Sequence, residues 1–314
     1  MPNEEGAELY LSDLSERDKP WDARRARAEQ VQALYSGTEY DRYSTRILEC
    51  SRVLEFALAA QDDGEMRFRL MGARFCRVRH CPVCQWRRTL MWVARALQGM
   101  PKIQEDYPKA RWVFLTLTVK NVPLLELRTT VKDMNKAFDR LSRRKEWKPV
   151  LGWARSLEVT RSRDGEAHPH FHVLMMVRPS YFTREYVKQK DWRELWKSCL
   201  RVDYLPVVNV KTVKPKANAD GSESGITAAI RETFKYAVKP EDLTADQVWL
   251  IELTDQMQNA RSVNIGGVLR KYWKAHEPED LVNADEDGGG EVSEDDPRLW
   301  FGWREYVKRY AKVN

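Results

Sequence analysis

The spacing of apolar and polar positions predicts an ordered run of strands and helices between residues 112 and 238. Short runs of β-branched and apolar residues indicate strands, and apolar residues that recur every three or four positions indicate helices. In chain order the segments are a strand (Trp112–Val119), a helix (Leu124–Arg144), two strands of a hairpin (Gly152–Thr160 and Pro169–Val177), a helix (Thr183–Leu200), a strand (Pro206–Val213) and a helix (Ile226–Val238). This order is typical of split βαβ folds. The predicted class is therefore α+β, with a ferredoxin-like antiparallel sheet that carries helices on one face.

Weaker patterns flank this run. A second hairpin is predicted from Val53–Leu58 and Met66–Ala73, and helices are predicted over Leu243–Met257 and Arg298–Lys312. The pattern and composition divide the chain into four segments: an N-terminal arm (1–45), a four-cysteine module (46–100), a main domain (101–275), and an acidic linker with a C-terminal amphipathic helix (276–314).

Charge is distributed unevenly along the 314 residues. The formal net charge is +6, but residues 66–163 alone carry a net charge of +16, and residues 277–297 contain ten acidic residues and no Lys or Arg. A basic region with interspersed aromatic residues suits a nucleic acid, and a solvated basic surface around an aromatic core is the alternative. No apolar run approaches the ~18 residues of a spanning helix, and the N-terminus lacks a hydrophobic signal segment. We therefore expect a cytoplasmic protein with no membrane partner.

The densest chemical feature is His168-Pro-His-Phe-His172, which holds three of the five histidines. Side chains alternate along a strand, so His170 and His172 are predicted to share one face and to form a pair of metal ligands. His168 has the same parity, but Pro169 interrupts the strand. Glu158, on the other arm of the hairpin, is the expected third ligand. This set suits Mn²⁺ or Mg²⁺, with Zn²⁺ as an alternative; surface histidines and a cross-strand ion pair are the structural alternatives.

Three polar residues are predicted to share the face of the last helix that lies opposite its apolar stripe. At about 100° per residue, Glu232, Tyr236 and Lys239 lie close together on that face. A phenol can attack a phosphodiester, a nearby cation stabilises the phenolate, and a carboxylate one turn away can activate water. An ordinary amphipathic tyrosine explains the same pattern, so these residues alone leave both interpretations open.

The cysteines are concentrated before residue 85, where four of the five occur: Cys50, Cys76, Cys81 and Cys84. The last two have the spacing of a zinc knuckle, and all four flank the predicted hairpin of residues 53–73. This pattern predicts a small zinc-ribbon-like module with a structural Zn²⁺, and a set of reduced, buried cysteines is the alternative. His80 is the substitute ligand if Cys50 is not one. Cys199 lies within a predicted helix and is expected in the core.

Together these segments resemble the rolling-circle replication initiators of small bacterial plasmids, the single-tyrosine branch of the HUH endonucleases. Three motifs occur in that family's order: Phe114-Leu-Thr-Leu-Thr118 with Asn121, Glu158-Val-Thr160 with His168-Pro-His-Phe-His-Val-Leu174, and Glu232-Thr-Phe-Lys-Tyr-Ala-Val-Lys239. The upstream cysteine segment is similar too. The resemblance covers roughly residues 46–275, and the segments 1–45 and 276–314 match nothing in it.

The resemblance implies an HUH endonuclease fold and a role for each motif residue. His170, His172 and Glu158 would hold the catalytic metal. Tyr236 would be the nucleophile, Glu232 would activate water at termination, and Lys239 would contact the scissile phosphate or the tyrosine oxygen. The implied activity is origin-specific nicking and joining of single-stranded or hairpin plasmid DNA. It would proceed through a 5′-phosphotyrosine and leave a 3′-OH primer, with a host helicase and DNA polymerase as partners.

Two other functions stay open at the level of sequence. An HUH transposase or relaxase would use similar chemistry, although a relaxase usually places its third histidine and its tyrosine differently. A non-catalytic, zinc-containing DNA-binding protein would explain the charge and the cysteines. That second alternative leaves the combination of Glu158, His170, His172 and Tyr236 unexplained.

Overall fold

The computed structural model describes residues 8–60, 65–214, 225–235, 237–284, 292–293 and 296–313. Its helices are α1 (Leu11–Leu14), α2 (Pro20–Tyr35), α3 (Asp41–Leu48), α4 (Pro82–Asp106), α5 (Leu127–Leu141), α6 (Gln189–Leu200), α7 (Gly225–Thr233), α8 (Pro240–Leu243), α9 (Gln247–Gln256) and α10 (Leu269–Tyr272). Its strands are β1 (Val53–Ala60), β2 (Met66–Ala73), β3 (Arg111–Thr118), β4 (Val150–Arg161), β5 (Ala167–Val177), β6 (Val208–Val213), β7 (Val263–Gly267), β8 (Arg298–Arg304) and β9 (Arg309–Val313). None of the described helices combines the length and the apolar composition that crossing a bilayer requires.

The chain forms two compact units. Unit 1 comprises Met1–Ala94, Leu243–Ile251 and Glu279–Asn314, and unit 2 comprises Arg95–Asp242 and Glu252–Pro278. The predicted divisions near residues 45, 100 and 275 do not coincide with these units, because the N-terminal segment, most of the four-cysteine segment and most of the C-terminal segment fall in unit 1. Within the predicted acidic linker, residues 285–291 and 294–295 lie outside the described residues.

Unit 2 is built on an antiparallel sheet with the strand order β6-β3-β5-β4-β7. The α+β prediction is confirmed, and the four predicted strands are adjacent in the order expected of a split βαβ arrangement. The fifth strand, β7, was not predicted; its sequence, Val-Asn-Ile-Gly-Gly, ends in two glycines. Close packing requires the first of them, since a Cβ atom at Gly266 would lie 2.2 Å from the ring of Trp153.

Helices and their flanking residues pack against both faces of this sheet. On the first face, Phe171 of β5 packs against Phe138 of α5, with ring centroids 6.1 Å apart. On the second face, Trp112 of β3 stacks on Trp273, the residue after α10, at a centroid distance of 6.0 Å. Trp273 also contacts Phe234, the residue after α7, at 5.8 Å. The prediction that helices lie on one face only is therefore wrong, because the ends of α7 and α10 pack on the second face.

Helix α7 is shorter than predicted. It ends at Thr233 instead of continuing to Val238. Beyond its end, the carbonyl of Ala237 accepts a hydrogen bond from the backbone N–H of Val159, with an N···O distance of 2.8 Å, and Val238 forms a parallel bridge with the same residue. The chain leaves the helix because a free donor at the edge of β4 offers this pairing. Tyr236 lies outside the described residues.

Unit 1 is built on a second antiparallel sheet, with the order β2-β1-β8-β9. The hairpin β1–β2 agrees with the sequence prediction, whereas the predicted C-terminal helix is wrong, because that segment forms β8 and β9. Phe301 is fully buried and contacts Phe56 of β1 at a centroid distance of 5.9 Å, while the adjacent Trp300 is 44% exposed. Although the segment has helical periodicity, its aromatic residues and its pairing with β1 favour strands over a helix.

The N-terminal segment, which the sequence predicts as an arm, belongs to unit 1. Trp21 of α2 packs edge-on against Trp86 at a centroid distance of 4.8 Å. Arg25 is fully buried, and its guanidinium donates to the carbonyls of Ile47 and Leu48 at 3.0 and 2.8 Å. Ile47 and Leu48 are the last residues of α3, where a cation is favourable. The two hydrogen bonds therefore stabilise the buried guanidinium and give partners to carbonyls at the end of the helix.

Candidate active site

Glu158, His170 and His172 form a buried cluster on the second face of the unit 2 sheet. In the register of β4 and β5, Glu158 lies directly opposite His170, and His172 follows two residues along the same strand. The Nε2 atoms of His170 and His172 lie 3.0 and 2.8 Å from the Oε2 atom of Glu158. The structure therefore brings together the three side chains that strand alternation had predicted as metal ligands.

The orientation of the His170 ring is fixed by the backbone. Its Nδ1 atom lies 3.2 Å from the carbonyl oxygen of His168. A carbonyl can only accept, so Nδ1 carries a proton, and Nε2 is the nitrogen that would face a metal ion. The Nδ1 atom of His172 is buried, has no hydrogen-bond partner among the described residues, and lies 4.0 Å from Oε1 of Glu232. Both rings thus direct Nε2 at the same carboxylate oxygen.

Lys235 joins this cluster although the sequence did not single it out. Its Nζ atom lies 3.0 Å from Oε2 of Glu158 and 2.6 Å from Oε1 of Glu232. The ammonium therefore connects a carboxylate that is 4% exposed with one that is 46% exposed. The available sequence signals were its spacing of three residues from Glu232 and its position immediately before Tyr236.

Protonation states in the cluster follow from burial and charge. Burial alone would raise the pKa of Glu158, but hydrogen bonds from His170 and His172 and the nearby positive charges outweigh it and hold the pKa well below its usual range. Burial lowers the pKa of His172, and the charges of His170 and Lys235 lower it further, against the hydrogen bond to Glu158. At neutral pH the cluster thus contains an ionised carboxylate and a neutral imidazole, which are the forms that bind a divalent cation.

Other residues predicted from the sequence are placed differently. The side chain of His168 is not part of the three-residue cluster, although its ring lies 5.3 Å from that of His170. Lys239 is exposed, and its ammonium forms no ion pair or hydrogen bond within the described part of the chain. Because α7 ends at Thr233, Lys239 does not lie on the helix that carries Glu232, and Tyr236, the third residue of the predicted face, lies outside the described residues.

The sheet face continues beyond the cluster across β3 and β6. Phe114 stacks on His172 with a centroid distance of 5.6 Å. Thr116 pairs with His172 on one side and with Asn209 on the other, and Phe114 pairs with Lys211. Asn209 and Lys211 are exposed, so a polar and basic strip extends from the histidines to the edge of the sheet.

Unit 1 contains a second cluster, in which the four predicted cysteines are all buried and carry free thiols. The Sγ atom of Cys84 lies 3.6 Å from those of Cys50 and Cys76, and the Sγ atoms of Cys81 and Cys50 are 3.7 Å apart. Zn–S bonds of about 2.3 Å in a tetrahedron place sulfur atoms about 3.8 Å apart, so these distances fit a four-thiolate zinc site.

The backbone around the thiols also suits a metal site. The N–H groups of Cys76 and Arg77 point at the sulfur atoms of Cys50 and Cys84, at 3.5 and 3.3 Å, and Arg77 adopts a left-handed φ of 55° that directs its N–H. Such contacts stabilise thiolates. Since Cys50 belongs to the cluster, His80 is not needed as a substitute ligand; it is fully buried, and burial lowers its pKa to about 3.

Two arginines near this cluster serve the fold of unit 1. The guanidinium of Arg87 donates to the carbonyls of Leu281 and Val282, both at 2.8 Å. Arg88 pairs with Glu279 at 3.0 Å. These contacts hold the segment before residue 285 in place.

Comparison with known proteins assigns the chain to a family. The family model Rep_1, described as "Replication protein", matches residues 67–311. The chain is 34% identical over 294 residues to a protein named "Protein rep" from Streptococcus pneumoniae serotype 2, an alignment that covers 91% of this chain and 89% of that protein. A "Protein rep" from Bacillus amyloliquefaciens is 31% identical over 327 residues, with 94% of each chain covered. No solved structure matches the chain significantly. The protein belongs to the Rep_1 family of replication proteins.

Proposed function

We propose that this protein initiates rolling-circle replication of a bacterial plasmid as a metal-dependent HUH endonuclease in the cytoplasm. It nicks one DNA strand at the origin, keeps the 5′-phosphate as a phosphotyrosine on Tyr236, and leaves a 3′-OH primer. The observation that carries this proposal is the convergence of Glu158, His170 and His172 on one point, in a chain of the replication protein family. The strand order β6-β3-β5-β4 supports the HUH assignment.

The donor set of the cluster fits a divalent cation. Two imidazole Nε2 atoms and one carboxylate oxygen lie within 4.8 Å of one another, and the Nδ1–H of His170 donates to the carbonyl of His168. Nitrogen and oxygen donors of this kind suit Mn²⁺ or Mg²⁺, and the cysteine cluster suits a structural Zn²⁺. A cation bound by Glu158, His170 and His172 would act as a Lewis acid on the scissile phosphate.

The residues of the chain supply the nucleophile and a general base. The Tyr236 hydroxyl attacks the phosphorus and loses its proton to solvent, the bond between the phosphorus and the 3′-oxygen breaks, and the 3′-oxygen takes up a proton from solvent. The new phosphotyrosine bond stores the energy of the broken one, so rejoining requires no ATP. At release, Glu232 removes a proton from a water molecule that attacks the phosphotyrosine, the bond between the phosphorus and the tyrosine oxygen breaks, and that oxygen takes a proton back from solvent. Lys239 contacts the phosphate or the tyrosine oxygen. The residues on either side of Tyr236 support this role, since Lys235 contacts Glu158 and Ala237 pairs with Val159.

The substrate in this proposal is single-stranded or hairpin origin DNA. Phosphate groups would be attracted to the basic region of residues 66–163, and the exposed strip that contains Asn209 and Lys211 leads directly to the histidines. A host helicase and a DNA polymerase would extend the 3′-OH primer.

The decisive experiment replaces Tyr236 with Phe. Wild-type protein, incubated with Mn²⁺ and single-stranded DNA that carries the origin of its plasmid, should form a covalent adduct that survives denaturing electrophoresis. Tyr236→Phe should bind the DNA but form no adduct, whereas Tyr306→Phe, which changes a tyrosine that is 76% exposed in unit 1, should behave like the wild type. An adduct in Tyr236→Phe would contradict the assignment. DNA binding by the wild type without any nicking would favour the non-catalytic alternative.

A further inference from the structure

We propose that Lys235 is a positioning residue with two tasks: it competes with the divalent cation for Glu158, and it holds Glu232 at the reaction site. This inference rests on the proposed function, because it assigns a role within the same metal centre. Lys235 lies within the third sequence motif, but the sequence alone assigns it no role.

The geometry places Lys235 where it would compete with a metal ion. Three nitrogen atoms converge on Oε2 of Glu158: Nε2 of His170, Nε2 of His172 and Nζ of Lys235, at 3.0, 2.8 and 3.0 Å. The two imidazole nitrogens would become ligands of a metal ion, whereas the ammonium cannot be a ligand and repels the ion. Lys235 thus places its positive charge beside the oxygen atom that a metal ion would bind.

The first consequence concerns metal affinity. The side chain of Glu158 is 4% exposed and that of Lys235 is 32% exposed, so solvent screens the repulsion between the ammonium and the bound cation only in part. Removing the positive charge should therefore tighten Mn²⁺ binding, by about tenfold. A site weakened in this way exchanges its metal readily.

The second consequence concerns Glu232. Its side chain is 46% exposed, and Nζ of Lys235 lies 2.6 Å from its Oε1 atom. The hydrogen bond restrains a carboxylate that would otherwise rotate into solvent. Without Lys235 the carboxylate should spend less time near His172, from whose Nδ1 atom it is 4.0 Å away, and water activation at release should slow.

The test compares Lys235→Met, which removes the charge and keeps the length, with Lys235→Arg, which keeps the charge. Lys136→Met is the matched control, because this lysine of α5 is 68% exposed and pairs only with Asp133 among the described residues. Mn²⁺ affinity is measured on the full-length protein without DNA, from the electron paramagnetic resonance signal of free Mn²⁺. Release is measured as the decay of the covalent adduct with origin DNA.

Lys235→Met should bind Mn²⁺ about tenfold more tightly and release DNA at least about tenfold more slowly, while Lys235→Arg and Lys136→Met should resemble the wild type. Opposite signs for binding and release distinguish this role from a merely structural one, which would weaken both. Unchanged or weaker Mn²⁺ binding in Lys235→Met would overturn the proposal, as would an arginine variant as defective as the methionine variant. If the wild type binds Mn²⁺ and forms no adduct, the proposed function fails, and the Mn²⁺ measurement still decides whether Lys235 competes for Glu158.

Discussion

The backbone N–H of Val159, the residue after Glu158, donates to the carbonyl of Ala237 at an N···O distance of 2.8 Å. This bond helps to tie the segment after α7 to the strand that carries a proposed metal ligand. Residues 152–156 of β4 pair with β7. Val159 lies beyond this pairing, so β7 does not use its N–H group. The two residues that flank Tyr236 in sequence are thus both held against β4, Lys235 by an ion pair and Ala237 by the backbone.

Val159→Pro removes this donor and should slow adduct formation. Proline favours an extended conformation for the preceding residue, so Glu158 should keep its place and Mn²⁺ binding should stay close to that of the wild type. A displacement of about 1 Å can cost about 100-fold in rate, and we expect a loss of that order in single-turnover nicking. Val159→Ile keeps the N–H and serves as the control. Full nicking activity in the proline variant would show that this bond does not position the nucleophile.

Glu232→Ala should separate nicking from release. The variant retains the proposed nucleophile, Tyr236, and the proposed metal ligands, so the covalent adduct should form. Its decay should slow by about 100-fold or more, because general-base catalysis of water attack is lost. Glu232→Gln, which can still accept a hydrogen bond from Lys235 but cannot take a proton, should show the same defect. Adduct decay at the wild-type rate in either variant would assign Glu232 a structural role only.

The histidines should differ in their effect on metal binding. We expect His170→Ala to weaken Mn²⁺ binding by about 100-fold or more, since partners that only orient a ligand typically contribute ~10–100-fold. His168→Ala should weaken it by less than about tenfold, because the group that orients His170 is the carbonyl of His168, which alanine retains. Titration with Mn²⁺ monitored by paramagnetic resonance measures both. Equal losses in the two variants would make His168 a third histidine ligand.

Strand alternation was sufficient to predict that Glu158, His170 and His172 come together, because parity puts the two histidines on one face and the hairpin puts Glu158 beside them. The course of the chain after α7 was not predictable in the same way. The sequence of residues 234–238 continues the helical periodicity, but α7 ends at Thr233 and Ala237 pairs with Val159 at a sheet edge, which is a tertiary property. Lys235 was missed for the same reason, since its two partners come together only when that segment folds back on β4.

The C-terminal hairpin gives a stability test in which two adjacent residues should differ. Phe301→Ala should lower the free energy of unfolding by about 3–5 kcal/mol, because the ring is fully buried against Phe56. Trp300→Ala should cost only about 1 kcal/mol, since that ring is 44% exposed. Urea denaturation followed by circular dichroism measures both. Equal costs would argue against the strand β8, in which neighbouring side chains point to opposite faces.

Cysteine substitutions should distinguish the proposed zinc ligands from the fifth cysteine. Cys84→Ser should lose most of the bound zinc, measured by elemental analysis after dialysis against a chelator. It should also unfold unit 1 at markedly lower urea concentration, since a structural zinc ion contributes about 10 kcal/mol or more of binding free energy in small zinc domains. Cys199→Ala is the matched control. Its thiol is also buried, but it lies in α6 of unit 2, so the variant should keep its zinc. Zinc retained in Cys84→Ser would contradict the four-thiolate site. Zinc lost equally in Cys199→Ala would show that the metal responds to general destabilisation rather than to removal of a ligand.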